Sequence, residues 1–124
     1  MILYLDTSSM VCRVWIDDKS YSWESGRGLA KGLLKFVKFC LEDAGGDWSS
    51  LTGLGAYEGP GSFTGLRIGA TVMNTIADSE KLPIVGAGGE DWREKAQKML
   101  DGGEDQKIVI PEYGGVVNIT TPKK

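Results

Sequence analysis

Glycine recurs at positions 59, 61, 65 and 69 in the run Gly59-Pro60-Gly61-Ser62-Phe63-Thr64-Gly65-Leu66-Arg67-Ile68-Gly69. This run joins a strand-like stretch, Leu51 to Glu58, to a helical pattern from Thr64 to about Ala77. A strand-to-helix loop presents free backbone N–H groups and the positive end of the helix dipole, which together favour an anion. Glycine permits close backbone approach. Ser62 and Thr64 add hydroxyl groups, and Thr64 is placed to cap the helix. Gly59, Gly61, Ser62 and Thr64 are therefore candidate anion ligands. The established phosphate signatures do not match. No Gly-Lys-Ser/Thr occurs, and Thr64 stands where a dinucleotide fingerprint needs its third glycine. Ser62 is no nucleophile elbow, because Pro60 and Thr64 flank it where two glycines are required. Glycine content alone leaves two readings open, a structural turn and an anion site. The four-residue spacing of Gly61, Gly65 and Gly69 adds a third, a small-residue stripe that lets a neighbouring helix approach closely.

Other chemistries are excluded by composition. With no histidine, Ser-His-Asp and Cys-His catalysis, His-ligated zinc and histidine pH switching are absent. Two cysteines, Cys12 and Cys40, are too few for a Cys-only zinc site, and they read as reduced core residues. Lys and Arg number 14 against 17 Asp and Glu, a net charge of -3 and a sequence pI near 4.9. That balance argues against this chain gripping nucleic acid alone. Trp15, Trp23, Trp48 and Trp92 are dispersed, lack neighbouring basic clusters, and read as packing residues. Lys31, Lys35 and Lys38 sit at helical spacing. They read as a solvated face, or as a minor electrostatic handle for an acidic partner. Arg67 falls in the first turn of a helix, where a cation is poorly placed, and is expected to pair with Asp6, Glu58 or a partner carboxylate, or to lie free at the surface.

The elements that position these residues follow from hydrophobic periodicity. Ile2 to Thr7 is a short apolar run ending in an acid, a central strand. Met10 to Ile16 and Ser20 to Glu24 complete a meander, the last with Tyr21 and Trp23 alternating with polar residues. Leu29 to Ala44 reads as a helix ended by Gly45-Gly46, its apolar stripe wider than one sheet can cover. The second helix is apolar almost all round, so one side should meet the sheet and another a neighbour. Leu82 to Gly86 is a short strand, Asp91 to Leu100 a charged helix, and Lys107 to Ile110 a last strand. One domain over 1–110 and a tail over 111–124 result. The architecture is α/β, a mixed sheet flanked by helices, of the ribonuclease H-like type. The longest apolar run, Met1 to Leu5, is too short for a membrane helix, and no signal peptide is visible. The expected compartment is the cytoplasm, with no membrane partner.

The string GPGSFTGLRIG, following Ile2-Leu3-Tyr4-Leu5-Asp6-Thr7-Ser8-Ser9, resembles the TsaB (formerly YeaZ) family of the bacterial tRNA threonylcarbamoyladenosine machinery. The resemblance runs from Met1 to roughly Gly86. It implies a ribonuclease H-like lobe of the actin-like ATPase (ASKHA) superfamily. It further implies a non-catalytic scaffold or activator subunit that pairs with TsaD, the catalytic subunit, through the first two helices in a four-helix bundle. Leu33, Leu34, Val37 and Leu41 would be the contacts on the first helix, and Gly65, Leu66, Gly69, Ala70, Met73 and Ile76 those on the second. TsaE would be a further partner and tRNA would be met only through the complex. ATP and a divalent metal would belong to the partner subunits, with no metal site and no securely bound cofactor in this chain. A homodimer through the same helices is compatible with this. In actin-like ATPases an Asp at the end of the first strand helps hold the nucleotide's metal, which marks Asp6 and Thr7, with the glycine loop, as candidate nucleotide contacts. The alternative reading is thus a stand-alone actin-like nucleotide-binding protein or ATPase. The family's second lobe is expected to be missing here or reduced to a tail.

Overall fold

The computed structural model describes residues 1–111. Five strands form one sheet: β1 (Ile2–Asp6), β2 (Val11–Ile16), β3 (Lys19–Glu24), β4 (Gly53–Tyr57) and β5 (Ile84–Ala87), in the order β3-β2-β1-β4-β5. β2 runs antiparallel to β1 and β3, while β1, β4 and β5 are parallel. The helices are α1 (Leu29–Asp43), α2 (Phe63–Glu80) and α3 (Trp92–Asp101). β3, β4 and β5 point the same way, so the crossovers α1 and α2 both run back against them. Their N-termini therefore lie together, at the end of the sheet where β1 and β4 finish.

Alternation along the strands divides the molecule into two layers of core. Leu3, Leu5, Cys12, Val14 and Ile16 face α1 and α2 and meet Leu33, Val37, Cys40, Leu41, Met73 and Ile76, all buried. On the other face Trp92 and Ala96 of α3 cover Tyr4, Val85 and Ala87. Trp92 meets Tyr4 edge-on at 6.0 Å and Trp15 at 5.8 Å, ring centre to ring centre. Trp23 lies against Phe36 at 5.3 Å. The tryptophans are thus packing residues, as their dispersal indicates. Cys12 and Cys40 are buried and unlinked, and burial pushes both thiols up to about 12. Neither is a nucleophile at neutral pH. α1 closes through Gly45 in the left-handed region, φ +86°.

Several boundaries differ from the sequence reading. Met10 is exposed and outside β2, and α2 begins at Phe63 and extends to Glu80. The expected strand at Lys107–Ile110 is absent. Asp105 breaks it: its Oδ1 accepts from the N–H groups of Ile84, at 3.1 Å, and of Lys107, at 2.9 Å, and Lys107 takes φ +68°. Gln106 completes the clasp. Its N–H donates to the Ile84 carbonyl at 2.8 Å and its Oε1 accepts from Gly86 N–H at 3.0 Å. Side chains thereby occupy the outer edge of β5, which would otherwise offer free ladder groups to another strand. Val109 is buried beyond this turn, held by Asn74 through two hydrogen bonds. Of the proposed tail, residues 112–124 lie outside the described residues.

The clasp has a pH signature. The N–H groups of Lys107 and then Ile84 hold the Asp105 carboxyl below the ordinary carboxylate range. A depressed folded value stabilises the fold above the ordinary range, and that stabilisation is lost as pH falls through the depressed value. Asp105→Asn is expected to lower Tm by about 5 °C at neutral pH and to flatten the acid limb of a Tm-against-pH curve. Unchanged acid sensitivity in the variant would remove Asp105 from this role.

Candidate partner face and glycine loop

The loop after β4 is built against β1. Ser62 caps α2, accepting from Gly65 N–H at 3.2 Å, and its own N–H donates to the Ser8 carbonyl at 2.8 Å. Thr64 lies within the first turn and is exposed, so it is not the cap. Thr7 is buried, and its hydroxyl donates to the Gly65 carbonyl at 2.7 Å. Asp6 Oδ1 accepts from Ser8 N–H at 2.8 Å, fixing the turn out of β1. Tyr57 hydroxyl donates to the Pro60 carbonyl at 2.9 Å. Burial, then the charge of Asp6, raise the Tyr57 pKa, which keeps that donor protonated. The Gly59–Pro60 peptide is cis.

These contacts explain the glycine spacing. A Cβ at Gly61 would meet Ser8, one at Gly65 the Thr7 carbonyl oxygen, and one at Gly69 the Thr7 hydroxyl. The stripe lets α2 and its loop lie directly on the end of β1. It does not face a partner helix. Asp6, Thr7 and Ser62 spend these hydrogen bonds within the chain, and the space beside Gly61, Gly65 and Gly69 is filled by β1. The loop is thereby a latch between β1 and α2, and these observations do not supply a phosphate cradle.

The proposed interface residues also separate. Leu33, Val37, Leu41, Leu66, Met73 and Ile76 are buried inside the fold, as are Gly65 and Gly69, and offer nothing to a partner unless the helices lift off the sheet. Ala70 is half-buried against the same core. Of that set Leu34 alone is well exposed, at 53%. The stripe looks wider than a single sheet requires because α1 and α2 also cover each other.

The surface open to a partner is the outer seam between α1 and α2. A cavity of about 310 Å³ there is lined by Ala30, Thr64, Arg67, Ile68, Thr71 and Val72. Farther along, one of about 220 Å³ lies between Leu34, Trp48, Thr75, Ile76, Ser79 and Glu80. Thr71 and Val72 of α2 line the first, and Thr75 and Ser79 line the second together with Leu34 of α1. Arg67 stands at the rim with its guanidinium 5.7 Å from the centre of the Phe63 ring. Periodicity points to α1 and α2, but exposure decides which of their residues face outward. Ala30, Ile68, Thr71 and Val72 are the ones missed, and Thr71 is polar, so no apolar pattern marks it. Among the described residues no helix is long and apolar enough to cross a membrane.

A family model described as TsaD: tRNA N6-adenosine threonylcarbamoyltransferase matches residues 24–88, the stretch holding α1, β4, α2 and β5. The tRNA threonylcarbamoyladenosine biosynthesis protein TsaB of Haemophilus influenzae is 32% identical over 88 residues, covering 68% of this chain and 37% of that protein. Its namesake in Escherichia coli K12 is 32% identical over 89 residues, covering 68% and 38%. YeaZ from Pseudomonas aeruginosa superposes with a TM-score of 0.64 at 28% identity, over 76% of this chain and 49% of that one. A second crystal structure, of an uncharacterized protein with similarity to peptidase YeaZ from Pseudomonas aeruginosa, gives 0.63 at 30% identity, over 70% and 42%. The chain therefore spans well under half the length of the curated relatives it matches.

Proposed function

The chain belongs to the TsaB (YeaZ) family and has the ribonuclease H-like lobe of the actin-like ATPase superfamily, and from that premise we propose that it is a non-catalytic subunit pairing with TsaD in the threonylcarbamoyladenosine modification of tRNA. The observation that carries the reading is the open seam between α1 and α2, where exposed Leu34 lines one of two cavities and Ala30 the other. Two helices running the same way on one face of a sheet form half of a four-helix layer. A matching pair from TsaD completes it and removes Leu34, Ile68 and Val72 from water. ATP and its divalent metal sit in the partner subunits, TsaE joins the assembled pair, and tRNA meets the complex. The cytoplasm is the compartment of that reaction.

The chain's own contribution is positional. The latch from Thr7 to Gly65 fixes α2 on the end of β1, so the seam is presented by a rigid layer. Charge stabilisation and proton transfer are left to the partner, because Asp6, Thr7 and Ser62 are engaged within the fold and the sequence holds no histidine.

Co-expression with TsaD of the same genome, followed by size-exclusion chromatography with mass measurement, tests this. A stable one-to-one complex is expected. Separate elution of two folded proteins would contradict it. Nucleotide bound by the isolated chain would then favour the alternative, a stand-alone actin-like nucleotide-binding protein, whose contacts would be Asp6 and the glycine loop.

A further inference from the structure

The outer face of α1 carries Lys31, Lys35 and Lys38, all exposed and all opposite the buried stripe of Leu33, Val37 and Cys40. Arg27 precedes them in the short 3₁₀ turn ahead of α1, and Arg67 lies across the seam in the second turn of α2. Because α1 and α2 share a direction, Arg27, Lys31 and Arg67 gather toward the same end of the layer, and Lys35 and Lys38 continue the strip along α1. Glu42, exposed one turn after Lys38, and Glu80, beside the cavity at Leu34, lie toward the other end. The chain as a whole is acidic, at -3, so this basic strip runs against its overall balance.

The arrangement is unfavourable within the chain. Lys31 and Lys35 are four apart and Lys35 and Lys38 three apart, like charges at neighbouring positions on a helix. Lys31 also lies in the first turn of α1, where the helix dipole disfavours a cation. The ion pairs Lys95–Asp91 and Lys107–Asp105 both lie remote from this face. Lys31 and Lys38 lie one turn before and one turn after Leu34, so the strip borders the apolar seam.

We propose that Lys31, Lys35 and Lys38 select an acidic partner, and that the helical face of TsaD docked on the α1–α2 seam presents carboxylates to this strip. The inference rests on the pairing reading above and names the chemistry that reading leaves open. A protein partner fits better than RNA. The cations border an apolar groove that a phosphate backbone would leave wet, and Phe39, exposed one turn after Lys35, extends that apolar border. The charge also opposes self-pairing in the orientation that stacks like ends, where strip would meet strip. Complementary charge chiefly sets association rate and the choice of partner.

The test compares wild type with the K31E/K35E/K38E variant, titrated with TsaD of the same genome, at ionic strengths from about 50 mM to about 300 mM. Circular dichroism and a thermal melt check folding, which the exposed positions should preserve. Wild-type affinity is expected to weaken about tenfold or more across the salt range, and the variant to lose at least about tenfold at low salt and most of its salt dependence. A folded variant that binds TsaD as wild type does overturns the charge assignment and leaves the pairing reading standing. Wild type that fails to bind TsaD at any salt defeats the pairing reading, and this inference with it. Salt-sensitive binding of a tRNA transcript by wild type, lost in the variant while TsaD binding is kept, assigns the strip to RNA and overturns the proposal.

Discussion

Gly65→Ala is expected to destabilise the domain by about 3 kcal/mol, enough to unfold a marginal fold at moderate temperature. Helix propensity points the other way, since alanine improves on glycine by up to about 1 kcal/mol in a helix. The steric term wins because the new Cβ would fall on the Thr7 carbonyl oxygen, a backbone atom that cannot rotate aside. Relief requires α2 to retreat from β1, which breaks the buried Thr7–Gly65 hydrogen bond and the Ser62–Ser8 backbone bond together. Gly102→Ala is the control. Gly102 has φ −80°, and an added Cβ finds ordinary contacts of 3.4 and 3.6 Å. That change should stay within about 0.5 kcal/mol. Urea unfolding of the three proteins decides the matter. Equal midpoints for Gly65→Ala and wild type would mean that the latch does not hold α2 in place.

Ala30→Glu is expected to weaken association with TsaD at least about 100-fold while leaving the fold intact. Ala30 is exposed in the first turn of α1, where a carboxylate complements the helix dipole. Stability should therefore hold or rise slightly. The same carboxylate would project into the cavity formed with Ile68, Thr71 and Val72 and be buried there by a docked helix. A buried charge without a partner costs several kcal/mol, more than a pair of helices can absorb. Ala30→Trp separates sterics from charge, because it fills the same cavity without an ion and should also block docking. Calorimetric titration of each variant with TsaD gives the affinities. Wild-type affinity in both would move the interface away from the seam.

Much of this is legible in residue order. The apolar run ending at Asp6, the alternation of Tyr21 and Trp23, and the two helical stretches each have one periodicity, and the sheet order follows from crossover rules. What periodicity cannot separate is a residue facing the sheet from one facing a neighbouring helix. Leu33 and Leu34 are adjacent and equally apolar, yet one is buried and the other is exposed. The glycine stripe misleads for a related reason. Four-residue spacing reports that something approaches closely, and here that something is the end of β1. The strand expected at Lys107–Ile110 fails because Asp105 bonds two backbone N–H groups, a tertiary event with no local signal beyond an acid at a turn.

Hydrogen exchange of the chain, free and with TsaD of the same genome, tests the central claim most directly. The account predicts new protection confined to amides of α1 and α2, strongest around Ala30, Leu34, Ile68 and Val72, with α3 and β3 unchanged. Protection centred on α3, or on the loop from Gly59 to Ser62 with α1 and α2 unaffected, would contradict it.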